Sequence, residues 1–174
     1  MSTEKKKTQK LYVEPTHEKK EELYRFYELI FNSSFTLTKK RSLMTSVLGY
    51  ETWSWRVVGI TEEAVKAIAR NKFKKTTKTL ARDHTLSRKD TYNRIFAEKM
   101  NFNEWWDWIW ENDKTVLMTN EEHNLIHIKQ PTKIYAIEPK WSLFVDSGLI
   151  GWYQTRAREG EFVRELCEKH NIEY

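Results

Sequence analysis

Four tryptophans fall within six positions, Trp105 to Trp110, in the segment NEWWDWIWEN, and an exposed segment could not hold them. On a helix, Trp105, Trp108 and Ile109 share one face, while Trp106 and Trp110 share an adjacent one. A helix that is apolar round most of its circumference has to be buried. A chain of 174 residues with 14% aromatics can enclose it within one ordinary domain. The rings are therefore expected to be core rather than a platform for stacking bases, with Asn103 as the helix cap.

Charged residues make up 32% of the chain, and no apolar run approaches the length of a bilayer span. Met1 to Lys10 has basic residues with no apolar stretch behind them, so no secretory leader is expected. Cys167 is the only cysteine, which excludes an intramolecular disulfide and a four-cysteine zinc site. These features together suggest a reducing, cytoplasmic setting. Charge is unevenly spread. Residues 1–82 hold 18 Lys and Arg against 9 Asp and Glu, whereas residues 83–174 hold 12 against 16. A basic front half suits a polyanion such as duplex DNA, because each neutralised phosphate releases counterions.

Residues 1–15 are expected to be a basic flexible tail. Thr16 can cap a helix over His17–Ile30, with Leu23, Phe26, Tyr27 and Ile30 on one face. Residues 32–49 are polar and basic and suggest loop or short strand. Tyr50–Ile60 is aromatic and β-branched, the pattern of a strand. Thr61 with Glu62 and Glu63 opens a helix carrying Val65, Ile68 and Ala69 inward. A strand is expected over Thr76–Arg82, a helix over Tyr92–Met100 and a short strand over Lys114–Met118. Thr119 and Glu122 then form a capping box. Lys133–Ile137 and Trp141–Val145 suggest extended segments, and residues 156–169 a final helix with Phe162, Val163 and Leu166 facing in.

Three of the five histidines lie in two tight groups. Asp83-His84 ends a predicted strand. His123 and His127 lie four apart on the helix opened by Thr119, a spacing that puts both imidazoles on one face, as a metal site on a helix requires. Strand, long excursion, strand and capped helix make a ββα arrangement in outline. Here DHTLSR together with TVLMTNEEHNLIH resembles the HNH (His-Asn-His) endonuclease superfamily, in particular its phage and homing members. The likeness covers about 45 residues, from Asp83 to His127.

That resemblance implies an α+β fold built on a ββα-metal (His-Me) finger with flanking helices and short strands. The finger would occupy about 76–130 of a catalytic domain over 16–130, with 131–174 as an extension that positions DNA. His84 would be the general base, taking a proton from the attacking water. Asp83 and His123 would bind a divalent ion, Mg²⁺ first, with Mn²⁺, Ni²⁺ or Zn²⁺ also admitted by an imidazole ligand. His127 would be a further ligand, a phosphate contact, or only a helix residue facing the site. Arg88 would hold the scissile phosphate. In the family a middle Asn buttresses the loop carrying the base, and it usually sits nine residues before the last position. That position is Lys114 here; Asn112 and Asp113 lie just ahead and could fill it through a one- or two-residue shift, and Asn120 is a further motif-Asn candidate.

Lys72, Lys74, Lys75 and Lys78 are expected to contact the DNA backbone, with Lys39, Lys40 and Arg41 as weaker candidates. Each residue also has a bland reading, the histidines and lysines as solvated surface. The implied activity is metal-dependent hydrolysis of duplex DNA by a homing or phage-encoded nuclease. A restriction or junction-resolving enzyme on the same finger is one alternative, and a basic nucleic-acid-binding protein without chemistry is another.

Overall fold

A computed structural model describes residues 14–73, 79–126, 128–131, 133–137 and 157–174. Helix α1 spans His17–Asn32. The Thr16 hydroxyl accepts from the Lys19 amide, and Leu23, Tyr27 and Ile30 are buried along one face. Phe26, expected on that face, lies exposed.

Helix α2, Leu37–Gly49, stands where loop or short strand was expected. Thr36 caps it, and Met44 and Leu48, one turn apart, are fully buried. The lysines and hydroxyl residues that disguised it lie mostly towards solvent, while packing against α1 and a later helix over Arg88–Ala97 supplies what local propensity does not.

The expected strand over Tyr50–Ile60 divides in two. Thr52–Trp55 forms a 3₁₀ turn and only Val57–Thr61 is strand β1. The turn lets Trp53 enter the helical core while Trp55 lies on the other side, where its indole meets His84. Thr61 then caps α3, Glu62–Arg70.

Strand β2 covers Leu80–His84, later than expected, and residues 76–78 lie outside the described residues. Helix α4, Arg88–Ala97, starts four residues before the expected Tyr92 because Ser87 caps it through the Asp90 amide. The tryptophan helix α5 spans Phe102–Asn112 and is capped by Asn101, with Glu104 completing a capping box, so Asn103 is inside it. Strand β3 (Thr115–Thr119) runs straight into α6 (Asn120–Leu125), where Thr119 and Glu122 form the expected box. Strand β4, Ile134–Ala136, and helix α7, Ala157–His170, complete the described elements. The segment expected over Trp141–Val145 lies outside the described residues.

The molecule is an α+β fold, with seven α-helices and one four-stranded mixed sheet among the described residues. Strand order is β2-β3-β1-β4, with β1 and β3 parallel in the centre and an antiparallel partner at each edge. Two cores flank this arrangement. One holds Val57, Ile60, Leu80 and Leu117 of the sheet with α3 and α7, so the C-terminal helix shares the core of the central strands. The other is aromatic and joins α1, α2, α4 and α5 round Tyr27, Trp53, Tyr92 and Trp105. Trp105 and Ile109 are fully buried and Trp106 nearly so, as the tryptophan density requires. Among the described residues, no helix is long and apolar enough to cross a membrane.

Candidate functional site

The site grows from β2, β3 and α6. The β2–β3 ladder pairs Asp83 with Val116 and His84 with Thr115. Successive residues of a strand point to opposite faces, so this register sends Asp83 and His84 to different sides of the sheet. Helix α6 follows β3 without a break and packs beside β2. His123, in its second turn, thereby comes to Asp83, with Nε2 3.9 Å from Oδ1. Both side chains keep contact with solvent, at 46% and 27% exposure.

His84 faces a different partner. Its Nε2 lies 3.0 Å from Oδ1 of Asp113, the residue that ends α5. The approach is bent away from the ring N–H direction, so it is a close polar contact rather than an aligned hydrogen bond. Asp113 is fully buried. Arg88 donates to it from Nε at 3.0 Å, the Ser54 hydroxyl donates to Oδ2 at 2.6 Å, and Arg88 also donates to Ser54. Burial by itself would raise the Asp113 carboxyl. His84, Arg88 and Ser54 outweigh that and hold it below the ordinary carboxylate value, so it is ionised at neutral pH.

Trp55 forms the wall of this pocket. The His84 ring meets it edge to face at 5.0 Å, and Arg88 and Arg82 lie over it at 4.5 and 5.2 Å. Arg82 also donates to the Trp55 carbonyl at 3.3 Å. Desolvation lowers Arg82 to about 10, which leaves it charged at neutral pH. Arg56, likewise brought to about 10 by burial, donates to the Asp113 carbonyl at 3.1 Å.

Asp83, His84 and His123 therefore do not meet at one point. Asp83 and His123 form a pair, while His84 lies one residue along the strand among buried partners. Arg88, expected at the scissile phosphate, is turned inward to Asp113 and is 13% exposed. Of the motif-Asn candidates, Asn112 donates to the Trp108 carbonyl, and the Asn120 amide donates to the Thr79 carbonyl at the start of α6. The side chain that touches His84 from the expected region is Asp113, one position after Asn112. His127, Lys74, Lys75 and Lys78 lie outside the described residues. Lys72 is exposed in a left-handed turn after α3, with φ of 54°. Lys39 is exposed on α2, whereas Lys40 donates to the Phe31 carbonyl at the end of α1 and Arg41 donates to Asn93 and Thr38. The last two thus have structural partners in the helical layer.

Among the described residues, no three His, Cys, Asp or Glu side chains gather round a common point that could hold an ion. A divalent cation would find the carboxylate of Asp83 and the imidazole of His123. Mg²⁺ retains several waters and is commonly held by one or two carboxylates plus a substrate phosphate. A sparse, half-exposed pair fits that mode, and its imidazole also suits Mn²⁺, Ni²⁺ or Zn²⁺.

Compared with known proteins, the chain matches no family model, no curated protein and no solved structure.

Proposed function

We propose that the protein is a metal-dependent DNA endonuclease of the HNH type, working through a ββα unit made of β2, β3 and α6. The observation that supports it most is the approach of His123 to Asp83 within 3.9 Å, produced by an antiparallel strand pair running straight into a capped helix. In sequence the two residues are separated by helices α4 and α5.

Among the described residues strand β2 lies at the edge of the sheet, and Asp83 and His84 are its last residues. A DNA backbone crossing that edge can meet both sides of the strand. His84 takes the proton from the attacking water. With Nε2 turned to the Asp113 carboxylate, Nδ1 is the ring nitrogen left to accept it, and the fixed negative charge stabilises the imidazolium that forms. A divalent ion on Asp83 and His123 would supply positive charge at the phosphate as the leaving oxygen develops its own charge. Arg82, charged beside Trp55, and exposed Lys72 add to the field that attracts the polyanion.

Nicking of supercoiled plasmid tests the reading. Wild-type protein with Mg²⁺ or Mn²⁺ is expected to convert the plasmid to open-circular or linear form. His84→Ala and His123→Ala should each lower the rate about 100-fold or more, the scale of a lost acid–base group. No cutting by wild type with any metal, or variants as active as wild type, overturns the proposal. Salt-sensitive DNA binding by a protein that never cuts would instead favour the non-catalytic alternative.

A further inference from the structure

We infer that Asp113, held by Ser54 and Arg88, is the positioning residue for His84 and fixes its neutral ring with the proton on Nε2. The inference rests on the reading of His84 as proton acceptor, but the structural arrangement it describes can be measured without any cleavage. It also assigns a role in the site to the 3₁₀ turn Thr52–Trp55, which lies outside the ββα unit.

The geometry confines Asp113 from every side. Its amide donates to the Ile109 carbonyl at 2.8 Å, and its own carbonyl accepts from Arg56 at 3.1 Å, so the main chain is pinned. Both carboxylate oxygens are used. Oδ2 accepts from Ser54, and Oδ1 faces Arg88 and His84, each at 3.0 Å. Ser54 and Asp113 are both fully buried. Neither can touch DNA, so any effect they have on the reaction is indirect, and the side chain of the proposed site that Asp113 reaches is His84.

The chemistry then selects a tautomer. Although the carboxylate oxygen lies off the ring N–H axis, at 3.0 Å its negative charge is repelled by an unprotonated, electron-rich ring nitrogen. A protonated Nε2 makes the same contact attractive. Trp55, edge to face with the imidazole at 5.0 Å, blocks the ring from swinging off the carboxylate. Nδ1 is left with its lone pair, the form a general base needs. Ser54 and Arg88 share a contact with each other as well as with Asp113, so the carboxylate cannot rotate away without breaking both.

The test is ¹⁵N NMR of the full chain with labelled histidine, at a pH where the ring is neutral, with the His84 signals assigned by their loss in His84→Ala. Wild type is expected to show one tautomer, protonated on Nε2. A wild-type ring protonated on Nδ1, or an even mixture, overturns the inference whatever the variants do. In Asp113→Asn and Ser54→Ala, with folding verified by circular dichroism, kcat for nicking should fall about 100-fold and roughly tenfold with KM unchanged. A folded Asp113→Asn with wild-type kcat also overturns it. Wild type that cuts no DNA but shows the Nε2 tautomer would sink the nuclease reading and leave this arrangement standing.

Discussion

Asp113 shows how strongly a single residue here depends on contacts the chain brings from far away. Its partners Ser54 and Arg88 are 59 and 25 positions distant, so no local pattern marks it. The motif spacing offers Asp113 beside Asn112 as a buttress for the loop carrying the base, but an Asp at a helix end is ordinary and nothing nearby in sequence signals its contact with His84. Removing it should be costly. Asp113→Ala leaves Arg88, only 13% exposed, without its carboxylate, and breaking a pair in which one partner is fully buried is expected to cost about 3 kcal/mol. Asp113→Asn, which keeps a hydrogen-bonding shape, should cost less, and thermal melts of the two variants measure the difference. Acid should act on the same residue and on Glu62. Bonds from Tyr135 first, then Lys66 and Lys133, bring Glu62 from 4.5 to about 2. Both carboxyls bind protons less tightly folded than unfolded, so their contribution is full above the unfolded values and disappears as pH falls through the folded ones. Stability is expected to drop as pH is lowered from about 4.5 towards 2, and Glu62→Gln should flatten part of that slope. A melting temperature constant across this range would contradict the assignment.

Elements with a strong local signal were the readable ones. The Thr16, Thr61 and Thr119 caps place the starts of α1, α3 and α6, because a side chain that satisfies an orphan amide is a local interaction. The tryptophan helix is legible for another reason, that its apolar surface has to be enclosed. Trp105→Ala should therefore cost about 3–5 kcal/mol in denaturant unfolding. Helix α2 is not legible, since its buried positions are sparse within a basic, hydroxyl-rich run and it is held by packing on α1 and α4. The contact between α7 and the turn after α3 is equally hidden. A Cβ added at Gly160 would lie 2.9 Å from the Phe73 carbonyl oxygen, and Phe73 already occupies a left-handed conformation at φ 57°. Gly160→Ala should push α7 off that turn and cost about 1–3 kcal/mol. A variant as stable as wild type would show that the two elements do not meet so closely.

At the scale of the whole molecule, the α+β class could be read from the mixture of helix and strand signals, but the sheet order could not. Parallel pairing of β1 with β3 brings two cap threonines side by side, and the Thr61 hydroxyl donates to Glu122, which also completes the Thr119 box, at 2.7 Å. That bond ties α3 to α6, the helix that carries His123. Among the described residues the arrangement also leaves β2 at the edge, with Asp83 on one side and His84 on the other. A reading from spacing alone brings all three candidate residues to one ion. The pleat of the strand separates them into a pair and a neighbour.

Titration with Mn²⁺ in the presence of a short duplex, followed by electron paramagnetic resonance, tests that division of labour most directly. Bound Mn²⁺ is expected in wild type and in His84→Ala, and is expected to be lost in Asp83→Ala and His123→Ala, while all three variants lose nicking. Equal Mn²⁺ binding by wild type, Asp83→Ala and His123→Ala would contradict the account.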